Sequence, residues 1–414
     1  MKMLPLDSST LAQVRTRRRF SDRAQRTLQG LLDLADIKLD GERPWDISVH
    51  DSRLYEAVLL RGSLGAGEAY MDGWWDCAAL DQMITRFLRA RLTARLTAFN
   101  ERLAGWLALV RNPQSPPRSR RVARQHYDLG DDLYECMLDP AMIYSCAYWR
   151  EADTLATAQA AKLDLICRKL RLQPGMRVLD IGCGWGGAAQ FAAEHYGVEV
   201  VACTISENQA RAARQRCAQL PVEVLLRDYR ELTSELVGTF DRIYSIGMFE
   251  HVGKRNYRVF FDKMRELLPD DGLALLHCIG GNQSSSTTDA WIEKYIFPNS
   301  MLPSISQIGA AAENAWIVED WHNFWAVLRS DAAMLARELR TWLAATRSTL
   351  RRTLPPHVAL LSRVIGSRIQ GPPESTVAVA ALAIGNSGRT TGNTLAHAHA
   401  LRSKATQTPQ WVHR

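Results

Sequence analysis

Several features that define other protein classes are missing from this 414-residue sequence. It has no apolar run near the roughly 20 residues of a membrane-spanning helix, because charged residues interrupt every hydrophobic stretch. Its first residues, MKMLPLDSST, lack the apolar core of a secretory signal. Its eight cysteines show no paired spacing, so neither a metal site nor a disulfide framework is expected. The sequence therefore predicts a cytoplasmic protein with reduced cysteines that does not span a bilayer.

Lysine is also scarce, since it supplies only eight of the 51 basic residues. The formal net charge of +7 is spread unevenly: residues 1–125 carry +7, residues 126–324 carry −9 and residues 325–414 carry +9. No recognition motif accompanies the arginines, so nucleic acid is not an expected partner. Hydrophobic residues make up 46% of the chain, enough for a large core and two or three domains. We therefore treat these three regions as the predicted domains.

The first region, residues 1–125, is predicted to be mostly helical. Apolar residues recur at helical spacing in three stretches: Leu28 to Leu34, Tyr55 to Leu60, and Leu80 to Leu88. The glycines of GSLGAGEAYMDGWW, residues 62–75, are expected to break the helix between the last two. Residues 112–124 combine prolines with arginines and predict an exposed linker. The alternative is that this stretch is attracted to the anionic phosphates of a membrane surface or nucleic acid.

The second region alternates short β-rich runs with helical patterns. The predicted strands are Arg177 to Ile181, Val198 to Thr204, Val222 to Arg227, Phe240 to Ile246, Leu273 to Cys278 and Trp316 to Asp320. The predicted helices are Leu155 to Leu170, Ala188 to His195, Glu207 to Leu220 and Tyr257 to Leu268. This alternation favours an α/β fold with a largely parallel, doubly wound, Rossmann-like sheet.

The strongest local motif is VLDIGCGWGG, residues 178–187, in which an apolar strand leads through a glycine-rich turn into a helix. Glycines allow such a turn to approach a ligand closely, and the ligand lies at the helix N-terminus. The spacing differs from the dinucleotide fingerprint, and the lysine of a phosphate-binding loop is missing. The motif resembles motif I of class I S-adenosylmethionine-dependent methyltransferases. S-adenosylmethionine is therefore the expected cofactor, with Asp180, Gly182, Cys183 and Gly184 as binding residues.

Two further strand ends carry polar residues where a nucleoside would lie. Thr204 and Gln209 follow the second strand and are candidates for binding the ribose hydroxyls. Asp228 and Tyr229 follow the third strand and are candidates for contacting the adenine amino group and ring. Each of these residues taken alone is better explained as a helix cap or a surface polar residue. Together they predict one site in an otherwise apolar cleft.

Longer segments resemble the cyclopropane fatty acid synthase family. The matching segments are GSLGAGEAYMDGWW, QHYDLGDDLYECMLDPAMIYSCAYW, VLDIGCGWGG, SIGMFEHVG, LLHCIGG, WIEKYIFPNSMLPS and VEDWHNF. They appear in the family's order over roughly residues 28–324. The resemblance implies that the chain transfers a methylene group from S-adenosylmethionine to the cis double bond of an unsaturated phospholipid acyl chain.

The resemblance also implies a second small ligand, bicarbonate, acting as the base. Its family contacts map onto Cys146, Glu250, His277 and the Ile279 backbone. An oxyanion can lie there only if the acid is protonated or the histidine is charged. The alternatives are a buried structural thiol at Cys146, a hydrogen-bonded core histidine at His277, and a helix-start pair of Glu250 with His251 on the surface.

The same resemblance places Tyr144 and Ser145 beside the methionine end of the cofactor. It implies a partner, unsaturated phospholipid at a membrane surface, and a chain held peripherally at the inner face of the membrane, which suits the basic first region. A homodimer is left open. Two other functions also stay open: methyl transfer to another lipid or small molecule without ring closure, and a non-catalytic lipid-binding relic.

The resemblance ends at Phe324. A nucleotide sequence chosen to encode Trp325 to Leu335, read one base later, gives G-R-Y-Y-D-R-T-L-R-C-W, which restores the family pattern. We therefore hypothesise that a one-nucleotide insertion places residues 325–414 out of frame. The expected consequences are a poorly ordered tail, a final sheet strand that is missing or replaced, exposed apolar sheet surface, and weak or no activity.

Overall fold

The computed structural model describes residues 21–92, 134–135, 137–285, 288–323 and 378–386. Its main α-helices are α1 (residues 21–32), α2 (Arg53–Met71), α3 (Leu80–Arg89), α4 (Leu155–Lys169), α5 (Gly187–Tyr196), α6 (Glu207–Arg216), α7 (Ser234–Val237), α8 (Tyr257–Glu266), α9 (Ala290–Tyr295) and α10 (Ile305–Ala312). Its strands are β1 (Ser48–Val49), β2 (Trp75–Asp76), β3 (Arg177–Ile181), β4 (Glu199–Thr204), β5 (Val222–Leu226), β6 (Arg242–Ile246), β7 (Leu273–Gly280), β8 (Trp316–Asn323) and β9 (Ala378–Asn386).

The main sheet has seven strands in the order β5-β4-β3-β6-β7-β9-β8. Strands β3 to β7 pair in parallel, whereas β9 runs antiparallel to both of its neighbours. Hydrophobic cores lie on both faces of the sheet, which explains why β3, β4 and β7 are nearly continuous apolar runs. The predicted parallel, doubly wound α/β sheet is confirmed.

The predicted elements of this region agree with the observed ones to within a few residues. The largest difference is at α6, which ends at Arg216 although its helical pattern continues to Leu220. Leu220 precedes Pro221, and the residue before a proline disfavours helical geometry. The chain therefore leaves the helix early and enters β5 directly after the proline.

The glycine-rich stretch at residues 62–75 breaks the helix as expected, at its first residue, and a second helical segment of α2 then continues to Met71. Only Gly62 leaves helical geometry, with φ +55°. A Cβ on Gly65 would lie 1.9 Å from the Ala57 carbonyl oxygen, and one on Gly67 would lie 2.2 Å from the Trp291 ring. The later glycines therefore provide close packing, both within the kinked helix and against a residue of α9.

The last strand in sequence, β9, comes from the tail and lies between β7 and β8, so the strand is not lost. All eight residues of β7 pair with β9, which in turn pairs with β8. Of the two alternatives for the final strand the structure shows replacement. Apolar side chains of the sheet are exposed as expected on the neighbouring strand, where Ile317 and Val318 of β8 are 43% and 48% exposed. The other residues of 325–414 and the predicted linker at residues 112–124 lie outside the described residues. Within the described parts of the chain, no helix is both long and apolar enough to cross a membrane.

Candidate active site

A cavity of about 180 Å³ lies at the carboxyl ends of β3 to β6, where ligands bind in open parallel sheets. All ten residues predicted to bind the cofactor line it: Tyr144, Ser145, Asp180, Gly182, Cys183, Gly184, Thr204, Gln209, Asp228 and Tyr229. They come from the ends of three strands, β3, β4 and β5, and from the segment just before α4. The structure thus brings the predicted binding residues together in one cavity.

The glycine-rich turn between β3 and α5 forms one wall of this cavity. Gly184 has φ +55°, and a Cβ added there would have no atom within 4 Å. Its backbone conformation therefore favours glycine, while the space beside it is open to a ligand. A Cβ on Gly187 would lie 2.0 Å from the Ala141 carbonyl oxygen. This glycine allows the segment that carries Tyr144 and Ser145 to pack against the start of α5.

The adenosine candidates are held in place by protein hydrogen bonds. The Thr204 hydroxyl donates to Gln209 Oε1 at 2.9 Å, and both side chains are buried. The Asp228 carboxylate accepts from Arg230 Nε at 2.8 Å and from Nη2 at 2.5 Å. The Tyr229 ring lies edge-on to Phe260 with centroids 5.3 Å apart. These bonds fix the orientation of the side chains before any ligand binds.

Asp180, in β3, also lines the cavity and differs from those residues. It is only 1% exposed, and its Oδ2 has no hydrogen-bond partner. Burial raises the pKa of its carboxyl group to about 7, and the Tyr244 hydroxyl opposes that rise. A buried carboxyl group that lines a cavity and has an unpartnered oxygen is suited to a cationic ligand group.

The four predicted catalytic residues lie beyond the cavity, around β6 and β7. Glu250 Oε1 accepts a hydrogen bond from the Ile279 amide at 2.6 Å. Cys146 is buried and packs against the Ile279 side chain. His277 stands two residues before Ile279, so both face the same side of β7. The resemblance assigns the Ile279 amide to bicarbonate. In this structure the amide donates its hydrogen bond to the Glu250 carboxyl group instead.

The pKa values of Glu250 and His277 bear on whether an oxyanion can bind here, because binding requires a protonated acid or a charged histidine. Burial raises the pKa of Glu250 to about 7, although the Ile279 amide opposes the rise, and Glu250 Oε2 has no partner. Burial, with a smaller contribution from the charge of Lys162, lowers the pKa of His277 to about 3. The structure therefore favours a neutral histidine and a readily protonated acid. The surface alternative for Glu250 is wrong, since this residue is 7% exposed.

Two buried polar residues of α4 were missed in the sequence. Gln159 Nε2 donates to the Ser145 carbonyl oxygen at 2.9 Å, and Lys162 Nζ donates to Ser145 Oγ at 2.7 Å. The sequence held a signal for both, because they share the face of the apolar residues Leu155, Leu163 and Ile166 at helical spacing. His251, which also lines the cavity, was treated only as part of a surface pair. Its burial lowers its pKa to about 4.

The parallel sheet, the glycine-rich turn and the cavity across the strand ends define an α/β protein of the class I methyltransferase type. A family model described as mycolic acid cyclopropane synthetase matches residues 114–352, and the chain belongs to that family. The match extends past Phe324, where the motif resemblance ends.

Individual relatives agree with this assignment. Over 306 residues the chain is 50% identical to a cyclopropane-fatty-acyl-phospholipid synthase of Escherichia coli, covering 73% of this chain and 78% of the relative. A crystal structure of mycolic acid cyclopropane synthase CmaA1 complexed with SAH and CTAB has 33% identity and a TM-score of 0.55, covering 64% of this chain and 98% of that one. The cyclopropane synthase MmaA2 of Mycobacterium tuberculosis has 29% identity, the same TM-score and the same coverage.

Proposed function

We propose that the chain transfers a methylene unit from S-adenosylmethionine to the cis double bond of an unsaturated phospholipid acyl chain and closes a cyclopropane ring. The observation that carries the proposal is the Glu250–Ile279 pair, with Cys146 packed against Ile279, where Glu250 and Cys146 are directly next along the chain to residues of a cavity lined by every predicted cofactor-binding residue. Family membership supports the same reaction.

The residues fit the cofactor in order along the edge of the sheet. Asp228 follows β5, Thr204 ends β4, the glycine-rich turn follows β3, and Gly247 follows β6 with Ser145 against it. Three strand spacings separate β5 from β6, roughly 14 Å, a length suited to an extended nucleoside with an amino-acid tail. S-adenosylmethionine, when bound, supplies a methyl group on a positively charged sulfonium. Asp180, with its unpartnered oxygen, holds the cationic part of that ligand.

We also propose that bicarbonate binds beside Glu250. Whether it can bind depends on the protonation of the Glu250 carboxyl group. A pKa near 7 allows Glu250 to carry a proton, and the unpartnered Oε2 then acts as a donor to an oxyanion. Bicarbonate, when bound, supplies a base for the proton that leaves as the ring closes. The buried surroundings of Cys146 and Ile279 exclude water from the carbocation that forms at the former double bond.

We also propose that flanking basic segments hold the protein at the inner face of the membrane. Residues 21–92 carry nine basic and twelve acidic residues, a net charge of −3. The positive charge of the first region therefore comes from residues 1–20 and 93–125, which carry +4 and +6. Such charge favours anionic phospholipid surfaces.

Lipid analysis of cells tests the function and the frame hypothesis together. The chain as written is compared with a frame-restored form that reads G-R-Y-Y-D after Phe324. The proposal predicts cyclopropane acyl chains with the restored form and few or none with the chain as written. A methyl branch in place of a ring would support simple methyl transfer. S-adenosylhomocysteine binding without lipid product from either form would support a non-catalytic relic.

A further inference from the structure

Lys162 is a buried charge that the proposed reaction leaves unexplained. It lies in α4, its side chain is 0% exposed, and it is among the largest fully buried side chains of the described residues. Burying an ammonium group is costly unless polar groups compensate for the lost hydration. Such a residue on an apolar helix face calls for a functional reason.

The hydrogen bond between Lys162 and Ser145 determines whether the serine hydroxyl is a donor or an acceptor in this contact. An ammonium group has no acceptor site, so in the 2.7 Å contact Nζ is the donor and Ser145 Oγ is the acceptor. The hydroxyl hydrogen of Ser145 must then be donated elsewhere. Ser145 lines the cofactor cavity at the end of β6, and its Cβ is 3.3 Å from the place of a Cβ on Gly247.

The backbone around Ser145 is fixed by the same helix. Gln159 Nε2 donates to the Ser145 carbonyl oxygen at 2.9 Å and to the Ile143 carbonyl oxygen at 3.3 Å. Gln159 and Lys162 are three residues apart and therefore neighbours on one helix face. Helix α4 thus holds both the main chain and the hydroxyl of Ser145.

We propose that Lys162 is a positioning residue that makes the Ser145 hydroxyl a polarised donor to the carboxylate of the cofactor's amino-acid portion. This inference rests on the proposed function, since it requires S-adenosylmethionine in the cavity. The positive charge of Lys162 favours the anionic carboxylate at this end and disfavours the ammonium, for which Asp180 is the suited partner. Its charge also helps to keep the pKa of His277 low, which places it electrostatically beside the reacting end.

The test compares two ligands that differ only in the part that Lys162 affects. S-adenosylhomocysteine carries the amino-acid portion, and 5′-methylthioadenosine lacks it. In calorimetric titrations of the full chain, Lys162→Met should weaken S-adenosylhomocysteine at least about tenfold and change 5′-methylthioadenosine less than about twofold. The matched control is Lys169→Met on the same helix, whose Nζ bonds Asp320 instead. It should change neither affinity.

A second pair of variants keeps the test decisive. If Lys162→Met does not fold, as judged by the absence of a cooperative thermal transition, the same two ligands are compared with Lys162→Gln. Ser145→Ala should weaken S-adenosylhomocysteine by itself, and adding Lys162→Gln to it should then have little further effect. Equal loss for both ligands, or full additivity of the two substitutions, would overturn the inference. If the wild-type chain binds neither ligand, the proposed function fails as well.

Discussion

The two ends of the site are built differently. At the proposed adenosine end, Thr204, Gln209 and Asp228 are satisfied by hydrogen bonds within the protein. At the reacting end, Asp180 and Glu250 are buried, each has an unpartnered oxygen, and each has a pKa raised to about 7. The first end is preorganised to recognise a ligand, whereas the second keeps polar groups that only a ligand can satisfy. Substitutions at the first end should therefore change ligand affinity, whereas substitution of Glu250 at the second end should change the rate of ring formation.

The largest effect should come from Glu250→Ala. We expect ring formation in the frame-restored chain to fall roughly 100-fold or more, because the proton at this position and the bond to the Ile279 amide are both lost. S-adenosylhomocysteine affinity should change less than about threefold, since Glu250 lies outside the cavity lining. Rates are measured by lipid mass spectrometry and affinities by calorimetry. A similar loss of ring formation and of S-adenosylhomocysteine affinity would contradict the separation of binding and reaction between the two ends.

Gly184→Val should act on binding instead. A β-branched residue is strained at φ +55°, and its side chain would project into the space left for the ligand. We expect S-adenosylhomocysteine affinity to fall roughly 10–100-fold. Gly175→Val is the matched control, because Gly175 has φ +82°, open surroundings and no place in the cavity lining. Similar affinity losses in both variants would indicate general backbone strain.

Asp228→Asn should have a smaller effect at the same end. The substitution removes the charge that pairs with Arg230 and weakens acceptance from the adenine amino group. An affinity loss of about tenfold is expected for both S-adenosylhomocysteine and 5′-methylthioadenosine. Asp262→Asn, in an exposed pair with Arg258, serves as the control. An unchanged affinity for both ligands would remove Asp228 from the adenosine site.

The pH dependence should separate the two ends further. Glu250 is protonated below its pKa of about 7, so ring formation at saturating cofactor should fall about fivefold between pH 7 and 8. Asp180 ionises over the same range, and its anionic form favours a cationic ligand, so S-adenosylmethionine affinity should not fall. Stopped assays and titrations across this range check both. A rate independent of pH here would show that the Glu250 proton is not required.

The sequence was sufficient for six of the seven strands of the main sheet and for the polar residues of the proposed adenosine end, but not for β9, which comes from the tail. Strand periodicity predicted β3 to β8, and polar residues directly after buried strands predicted Thr204 and Asp228, because parallel strands bring their carboxyl ends to one edge. The bond between Glu250 and the Ile279 amide joins residues 29 positions apart and has no local signature. The packing role of Gly67 was also hidden, because the residue that leaves no room for a side chain there, Trp291, is far along the chain.

The most direct test of the proposed reaction uses purified protein, S-adenosylmethionine labelled at the methyl group, and vesicles of unsaturated anionic phospholipid. The account predicts labelled acyl chains that have gained one methylene unit and lost the double bond from the frame-restored chain, and none from its Glu250→Ala variant. Label in a methyl branch, in a headgroup, or in a ring formed equally well without Glu250 would contradict it.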